Sequence, residues 1–76
     1  MAKTNPSLRR RLGKVLREAR LAAELSQEEV ADRAGVHPTY ISLLERGLSS
    51  PSLDTLTAIA SALGTKAHLL VEAVER

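Results

Sequence analysis

The sequence predicts an all-α domain built from five helices, and two observations support this fold class. Apolar residues recur three or four positions apart in five successive segments, and no segment alternates long enough to form a strand. Thirteen Leu and eleven Ala dominate the apolar residues, whereas sheets favour β-branched and aromatic side chains. At 76 residues the chain has the length of one small domain.

The first helix is predicted to follow a short arm. Residues 1–6 show no periodicity, so we expect a flexible arm followed by a single domain over residues 7–76. Ser7 is the predicted N-cap of a helix that runs to about Ala23. The apolar stripe of this helix is formed by Leu8, Leu12, Val15, Leu16 and Ala19.

The second and third helices are predicted to be short and joined by a tight turn. Ser26 opens a capping box that begins the second helix, which ends at Gly35. Pro38 suits the first turn of the third helix, which stops before Gly47. The inward-facing residues are Val30, Ala31, Ala34, Val36, Ile41 and Leu44. Residues 26–47 therefore predict a helix-turn-helix, whose second helix lies in the DNA major groove.

The fourth and fifth helices complete the predicted domain. Ser52 is the expected N-cap of the fourth helix, which ends at Gly64, and the last helix occupies residues 66–76. Four apolar residues of the last helix would leave apolar surface on a monomer, so we expect them to form a homodimer interface. These residues are Leu69, Leu70, Ala73 and Val74. The alternative is that the last helix packs only on its own core.

Charge is distributed unevenly along the chain. Residues 1–20 hold seven basic residues and one acidic residue, whereas residues 21–76 hold four basic and eight acidic ones. The basic end predicts a surface for a polyanion, and the alternative is a solvated helix start.

Without Cys the chain can form neither a disulfide nor a thiolate zinc site. No apolar run approaches the roughly 20 residues of a membrane span, so we expect no membrane partner. The absence of Cys fits a reducing cytosol, and we expect a cytoplasmic protein.

The sequence contains no motif that indicates catalysis. His68 and Glu72 lie four positions apart on one predicted helix, but a catalytic zinc usually needs three protein ligands. The chain has no glycine-rich phosphate loop, no nucleophile elbow and no H-E-x-x-H motif. We therefore expect no enzymatic activity, no metal and no cofactor.

Residues 12–64 closely resemble the Cro/repressor-type helix-turn-helix, also called the XRE family. The resemblance is carried by Leu12, Leu16, Arg20, LSQEE at 25–29, Val30-Ala31, Ala34-Gly35-Val36, Tyr40-Ile41-Ser42, LERG at 44–47, Pro51-Ser52-Leu53, Leu56 and Ala62-Leu63-Gly64. It implies a compact lambda-repressor-like fold and a bacterial or phage regulator that binds double-stranded DNA as a dimer. Small members with a fifth helix are similar to the controller proteins of restriction–modification systems.

The family resemblance also implies which residues face DNA. Contacts to base edges are expected from Pro38, Thr39, Ser42 and Leu43, and contacts to phosphate from Gln27, His37, Tyr40, Arg46 and Ser49. For Tyr40 a place in the core is the alternative. Arg20 and Glu45 are expected to form a partly buried salt bridge that orients the third helix.

Two departures from the family pattern concern the turn and the reading helix. Glu24 stands where the family often has Gly, which leaves the end of the first helix undefined. Pro38 and Leu43 occupy groove-facing positions that are often polar or basic. Because neither side chain can donate a hydrogen bond, fewer polar contacts to base edges are available.

The sequence therefore predicts a homodimeric transcriptional regulator that binds a pseudo-palindromic operator in the cytoplasmic nucleoid. We expect no small-molecule effector, because no segment remains to build a ligand domain. The alternative function is an antitoxin-type or other protein-interaction module with secondary DNA binding. Antitoxins commonly carry an extended inhibitory segment, whereas only one amphipathic helix follows residue 64, and this favours the regulator.

Overall fold

Five helices account for most of residues 5–76, which the computed structural model describes. They are α1 (Pro6–Ala22), α2 (Gln27–Ala34), α3 (Pro38–Glu45), α4 (Leu53–Ala62) and α5 (Ala67–Glu75). No strand occurs among these described residues, so the predicted all-α, five-helix class is confirmed. The predicted flexible arm falls mostly in residues 1–4, which lie outside the described residues. None of the described helices is long and apolar enough to cross a membrane.

The start of α1 differs from the sequence prediction. The Asn5 side chain accepts a hydrogen bond from the Leu8 backbone N–H at 3.2 Å, and Pro6 is the first helical residue. The prediction that Ser7 is the N-cap is therefore wrong, since Ser7 lies within the first turn. Asn caps a helix as well as Ser does, and Pro is pre-organised for the position that follows the cap. Asn5 and Pro6, which the sequence assigned to the arm, belong to this helix start.

The turn between α1 and α2 contains a left-handed residue that is not glycine. Glu24 has a φ of 58°, a conformation that glycine adopts without steric cost. The Leu25 N–H donates to the Arg20 carbonyl at 3.1 Å and the Glu24 N–H to the Leu21 carbonyl at 3.0 Å. The chain thus makes the tight turn of the family with a strained glutamate in place of the usual glycine.

The core lies where α1, α2, α3 and α4 meet, and α5 closes it from one side. Its buried members are Leu16, Val30, Ala31, Ile41, Leu44, Leu56, Ile59, Ala60 and Leu70. On α5, Leu70 and Val74 are only 4% and 5% exposed, so the expectation that they form apolar outer surface is wrong. They lie four positions apart on the inward face of α5. Leu69 lies about 100° around the helix from Leu70, and it is 47% exposed. Ala73 is half-buried.

Helix α1 crosses the end of α3 at unusually close range. A Cβ atom at Gly13 would lie 2.5 Å from the carbonyl oxygens of both Leu44 and Glu45, so only glycine permits this approach. At Gly47, which has a φ of 73°, a Cβ atom would lie 2.9 Å from the Arg10 Cα. The backbone of α1 therefore rests directly against the end of α3, which fixes the outward face of α3.

Candidate nucleic-acid interface

Helix α3 presents one face outward because its opposite face is sealed in the core. Ile41 and Leu44 are 3% and 1% exposed. The outward face consists of Thr39, Ser42, Leu43 and Arg46, which recur at helical spacing. Thr39 and Arg46 are exposed, and Ser42 and Leu43 are half-buried. Hydroxyl groups can bond to base edges, and the methyl groups of Thr39 and Leu43 can contact a thymine methyl.

His37 caps the leading end of α3. Its Nδ1 accepts a hydrogen bond from the Thr39 backbone N–H at 3.1 Å, and the side chain is exposed. An accepting Nδ1 carries no proton, so the neutral ring carries its proton on Nε2. Pro38 follows as the first helical residue and is half-buried. His37 therefore has one outward donor next to the face of α3.

An ion pair joins α1 to the far end of α3. Arg20 Nε lies 2.7 Å from Glu45 Oε2, and Arg20 Nη2 donates to Glu45 Oε1 at 3.0 Å. The third donor, Arg20 Nη1, bonds to the Leu25 carbonyl at 3.0 Å. The hydrogen bond to Glu45 raises the pKa of Arg20 above its ordinary value, against the opposing effect of burial. With side chains 12% and 5% exposed, this bidentate pair sets how α3 sits on α1.

Gln27 has a structural contact that the sequence analysis missed. Its Nε2 donates to Glu45 Oε1 at 3.1 Å, which ties the first residue of α2 to the last residue of α3. Eighteen residues separate the two side chains, and no local spacing signals their contact. An amide has a second N–H and a carbonyl oxygen, so this bond leaves capacity for a phosphate.

Three further residues expected at phosphates lie on α3, at its end and in the loop that follows. The ring of Tyr40 is half-buried and packs against the core, as in the alternative that the sequence left open. Arg46 folds back along α3, since its Nε donates to the Ser42 carbonyl at 3.4 Å. Ser49 is half-buried in the loop before α4. The structure therefore brings Arg46 onto the outward face and leaves Tyr40 mainly a packing residue.

The capping box predicted at the start of α2 is present. The Ser26 hydroxyl accepts from the Glu29 backbone N–H at 3.0 Å, and Glu29 Oε1 accepts from the Ser26 backbone N–H at 2.9 Å. The hydrogen bond from the Ser26 backbone N–H to the Glu29 carboxylate, and secondarily the nearby Ser26 hydroxyl, lower the pKa of Glu29. Residues 5–76 contain no group of three His, Asp or Glu side chains arranged for a metal.

Comparisons with known proteins identify relatives of this arrangement. The family described as "Helix-turn-helix" matches residues 16–70. An uncharacterised HTH-type transcriptional regulator of Mycobacterium tuberculosis is 43% identical over 58 residues, which are 76% of this chain and 41% of the relative. The chain thus spans about two fifths of that relative. The control protein C.BamHI of Bacillus amyloliquefaciens is 37% identical over 67 residues, 87% of this chain and 83% of the relative.

Solved structures give the same relationship. The clp gene regulator ClgR from Corynebacterium glutamicum superimposes with a TM-score of 0.85 and 32% identity, covering 90% of this chain and 72% of that one. The restriction-modification controller protein C.AhdI from Aeromonas hydrophila gives a TM-score of 0.80 and 35% identity, covering 82% and 94%. Both structural similarities cover more than four fifths of this chain.

Proposed function

This chain belongs to the helix-turn-helix family that matches residues 16–70, as the resemblance in the sequence indicated, and we propose that it is a sequence-specific DNA-binding transcriptional regulator. The observation that carries the proposal is the outward face of α3, which is fixed by a sealed core on one side and by the Arg20–Glu45 pair at its end. In a helix-turn-helix such a face enters the major groove.

Base edges are read by residues between Pro38 and Leu43 of α3 in this proposal. The hydroxyls of Thr39 and Ser42 bond to bases, and Pro38 and Leu43 supply apolar contacts, which favour thymine methyl groups. Since the outward face offers few polar groups, part of the preference comes from the shape and deformability of the duplex.

Phosphate contacts surround this reading face and hold the helix in register. The proposed donors are Gln27 at the start of α2, His37 through Nε2–H, Arg46 at the end of α3 and Ser49 in the following loop. The Tyr40 hydroxyl is the fifth proposed contact, at the rim of a ring that packs on the core.

We further propose a homodimer on a pseudo-palindromic operator. Two-fold symmetry would place two copies of α3 about 34 Å apart, one turn of DNA. Exposed Leu69 and half-buried Ala73 on α5 support an interface there, while Leu70 and Val74 hold α5 to its own core.

Selection of bound sequences from random duplexes tests the proposed function. We expect wild-type protein to enrich a symmetric site, and Thr39→Ala to lose the preference at one position of each half-site. Mismatches in such sites typically cost about 1–3 kcal/mol each. Thr57→Ala is the matched control, because Thr57 is exposed on α4 and its hydroxyl bonds to the Leu53 carbonyl. No enriched sequence, or identical preferences in both variants, would contradict the proposal.

A further inference from the structure

The basic half of α1 meets the end of α3 at Gly47. A Cβ atom at Gly47 would lie 2.8 Å from the Arg10 Cγ and 2.9 Å from its Cα, so the stem of Arg10 lies against this glycine. Arg46 is the residue directly before Gly47 and caps the end of α3. The crossing therefore brings two arginines, 36 positions apart in sequence, to one corner of the molecule. We name this the Arg10–Arg46 corner.

The positive charge at the Arg10–Arg46 corner has no compensating carboxylate within the described residues. Both arginines are exposed, and neither forms an ion pair in residues 5–76. Glu45 is the nearest acid along the chain, but its carboxylate is already bonded to Arg20 and Gln27. The fold thus brings the stem of Arg10 next to the residue that follows Arg46, and the carboxylate adjacent to Arg46 in sequence is bonded to other donors.

The start of α1 also lacks negative charge. The first turn of α1 contains no acidic residue, although acidic side chains favour the positive end of a helix dipole. Arginines instead occupy positions 9, 10 and 11. An anion outside the chain would supply the negative charge that the described residues do not provide to Arg10 and Arg46.

The position of the corner indicates which anion would bind. Arg46 folds back to the Ser42 carbonyl, so it shares the face of α3 with Thr39 and Ser42. A duplex that receives this face has its phosphates at the border of the groove, beside the end of α3. We propose that Arg10 binds a phosphate of the same duplex together with Arg46, which makes α1 a second DNA-contacting element. This inference rests on the proposed function and extends it beyond the helix-turn-helix.

Arg11 provides a matched control one residue away. It lies about 100° around α1 from Arg10, on the flank shared with Lys14 and Glu18 that faces Ala73 and Arg76 of α5. Arg11 is exposed like Arg10 and carries the same charge, but it is directed away from the end of α3.

Salt titration of DNA binding tests the inference with Arg10→Gln, Arg10→Lys and Arg11→Gln. Each phosphate that a cation neutralises contributes about −0.9 to the slope of log K against log salt. We expect Arg10→Gln to make the slope about 0.9 shallower and to weaken binding roughly eightfold at about 0.1 M salt, on operator and non-operator duplexes alike. Arg10→Lys keeps most of the slope, and Arg11→Gln leaves it as in the wild type.

The possible outcomes separate this inference from the proposed function. A wild-type protein that binds no duplex refutes both. A wild-type protein that binds with an unchanged slope in Arg10→Gln refutes the role of Arg10 alone. Equal losses in Arg10→Gln and Arg11→Gln would indicate a general effect of net charge and would also refute it. Urea unfolding of each variant shows whether the fold is retained, since Gln preserves most of the Arg10 stem that packs on Gly47.

Discussion

A single carboxylate connects three helices at the residue scale. Glu45, the last residue of α3, accepts two hydrogen bonds from Arg20 of α1 and one from Gln27 of α2. Its side chain is 5% exposed, so water cannot replace these donors. The resemblance to the family was sufficient to predict the pairing of Arg20 with Glu45. It could not predict the bond from Gln27, because that contact depends on how α2 and α3 pack.

Removal of the Glu45 carboxylate should destabilise the whole domain. We expect Glu45→Ala to lower the free energy of unfolding by about 3–5 kcal/mol, because it leaves the Arg20 guanidinium largely buried without its partner. DNA affinity should fall with it, since the pair orients α3. Urea unfolding and operator binding measure the two effects. Glu72→Ala, on the exposed side of α5, is the control and should change neither. Lost binding with unchanged stability would contradict this structural role.

The capping box at Ser26 predicts a specific dependence of stability on pH. Because the folded state lowers the pKa of Glu29, the stabilisation is complete above its ordinary value of 4.5 and is lost as the pH falls through the folded value. We therefore expect the difference in unfolding free energy between wild type and Glu29→Gln to be largest at neutral pH and to shrink in acid. Urea unfolding at about pH 7 and about pH 3 measures it. The control is Glu28→Gln, and a difference that grew in acid would refute the prediction.

At the scale of elements, the sequence defined the helices better than it defined their ends. Caps such as Ser26 and Ser52 lie directly before an apolar stripe, and the helices begin where these residues predict. At α1 the sequence prediction placed the cap at Ser7, whereas Asn5 is chemically as good a cap and is followed by Pro6 at the first helical position. Gly13 stands inside a predicted helix, where glycine is unfavourable, but its partner could not be predicted because the close approach depends on the backbone of α3.

The left-handed turn after α1 offers a stabilising substitution. Glu24 is exposed and has a φ of 58°, which costs a residue with a Cβ atom about 1 kcal/mol or more. We expect Glu24→Gly to raise the free energy of unfolding by up to about 1 kcal/mol. Thermal and urea unfolding measure the gain. Ala23→Gly, at a neighbouring residue with a right-handed conformation, should not stabilise. A Glu24→Gly variant that is less stable than wild type would show that this turn is not strained.

At the scale of the whole molecule, the spacing of apolar residues predicted the number and order of the helices. It did not predict which face of α5 is exposed. Leu69, Leu70, Ala73 and Val74 occupy two adjoining faces of the helix, and the sequence treats both alike. Only packing against the rest of the domain determines which face is buried. The structure buries Leu70 and Val74 and exposes Leu69, which narrows the surface available to a second copy.

Substitution of Leu69, on the exposed apolar surface of α5, tests the proposed dimer. We expect Leu69→Asp to convert a dimer into a monomer, because it places a charge in an interface that would otherwise be apolar. Sedimentation equilibrium measures the change, and operator affinity should fall when the two half-sites are no longer bound together. His68→Asp is the control on the exposed side of α5. A wild-type protein that sediments as a monomer at micromolar concentration would contradict the proposed assembly.

The direct contact of the α1 backbone with the end of α3 has a consequence for operator length. Helix α1 packs against both α3 and α5, so it links the reading helix to the proposed dimer surface without an intervening loop. With Gly13 against the carbonyls of Leu44 and Glu45, no side chain lies between the backbones of α1 and α3 at this crossing. In the proposed dimer this contact would limit changes in the span between the two reading helices. Insertion of one base pair between the half-sites would therefore have to be absorbed by the DNA, through bending or untwisting.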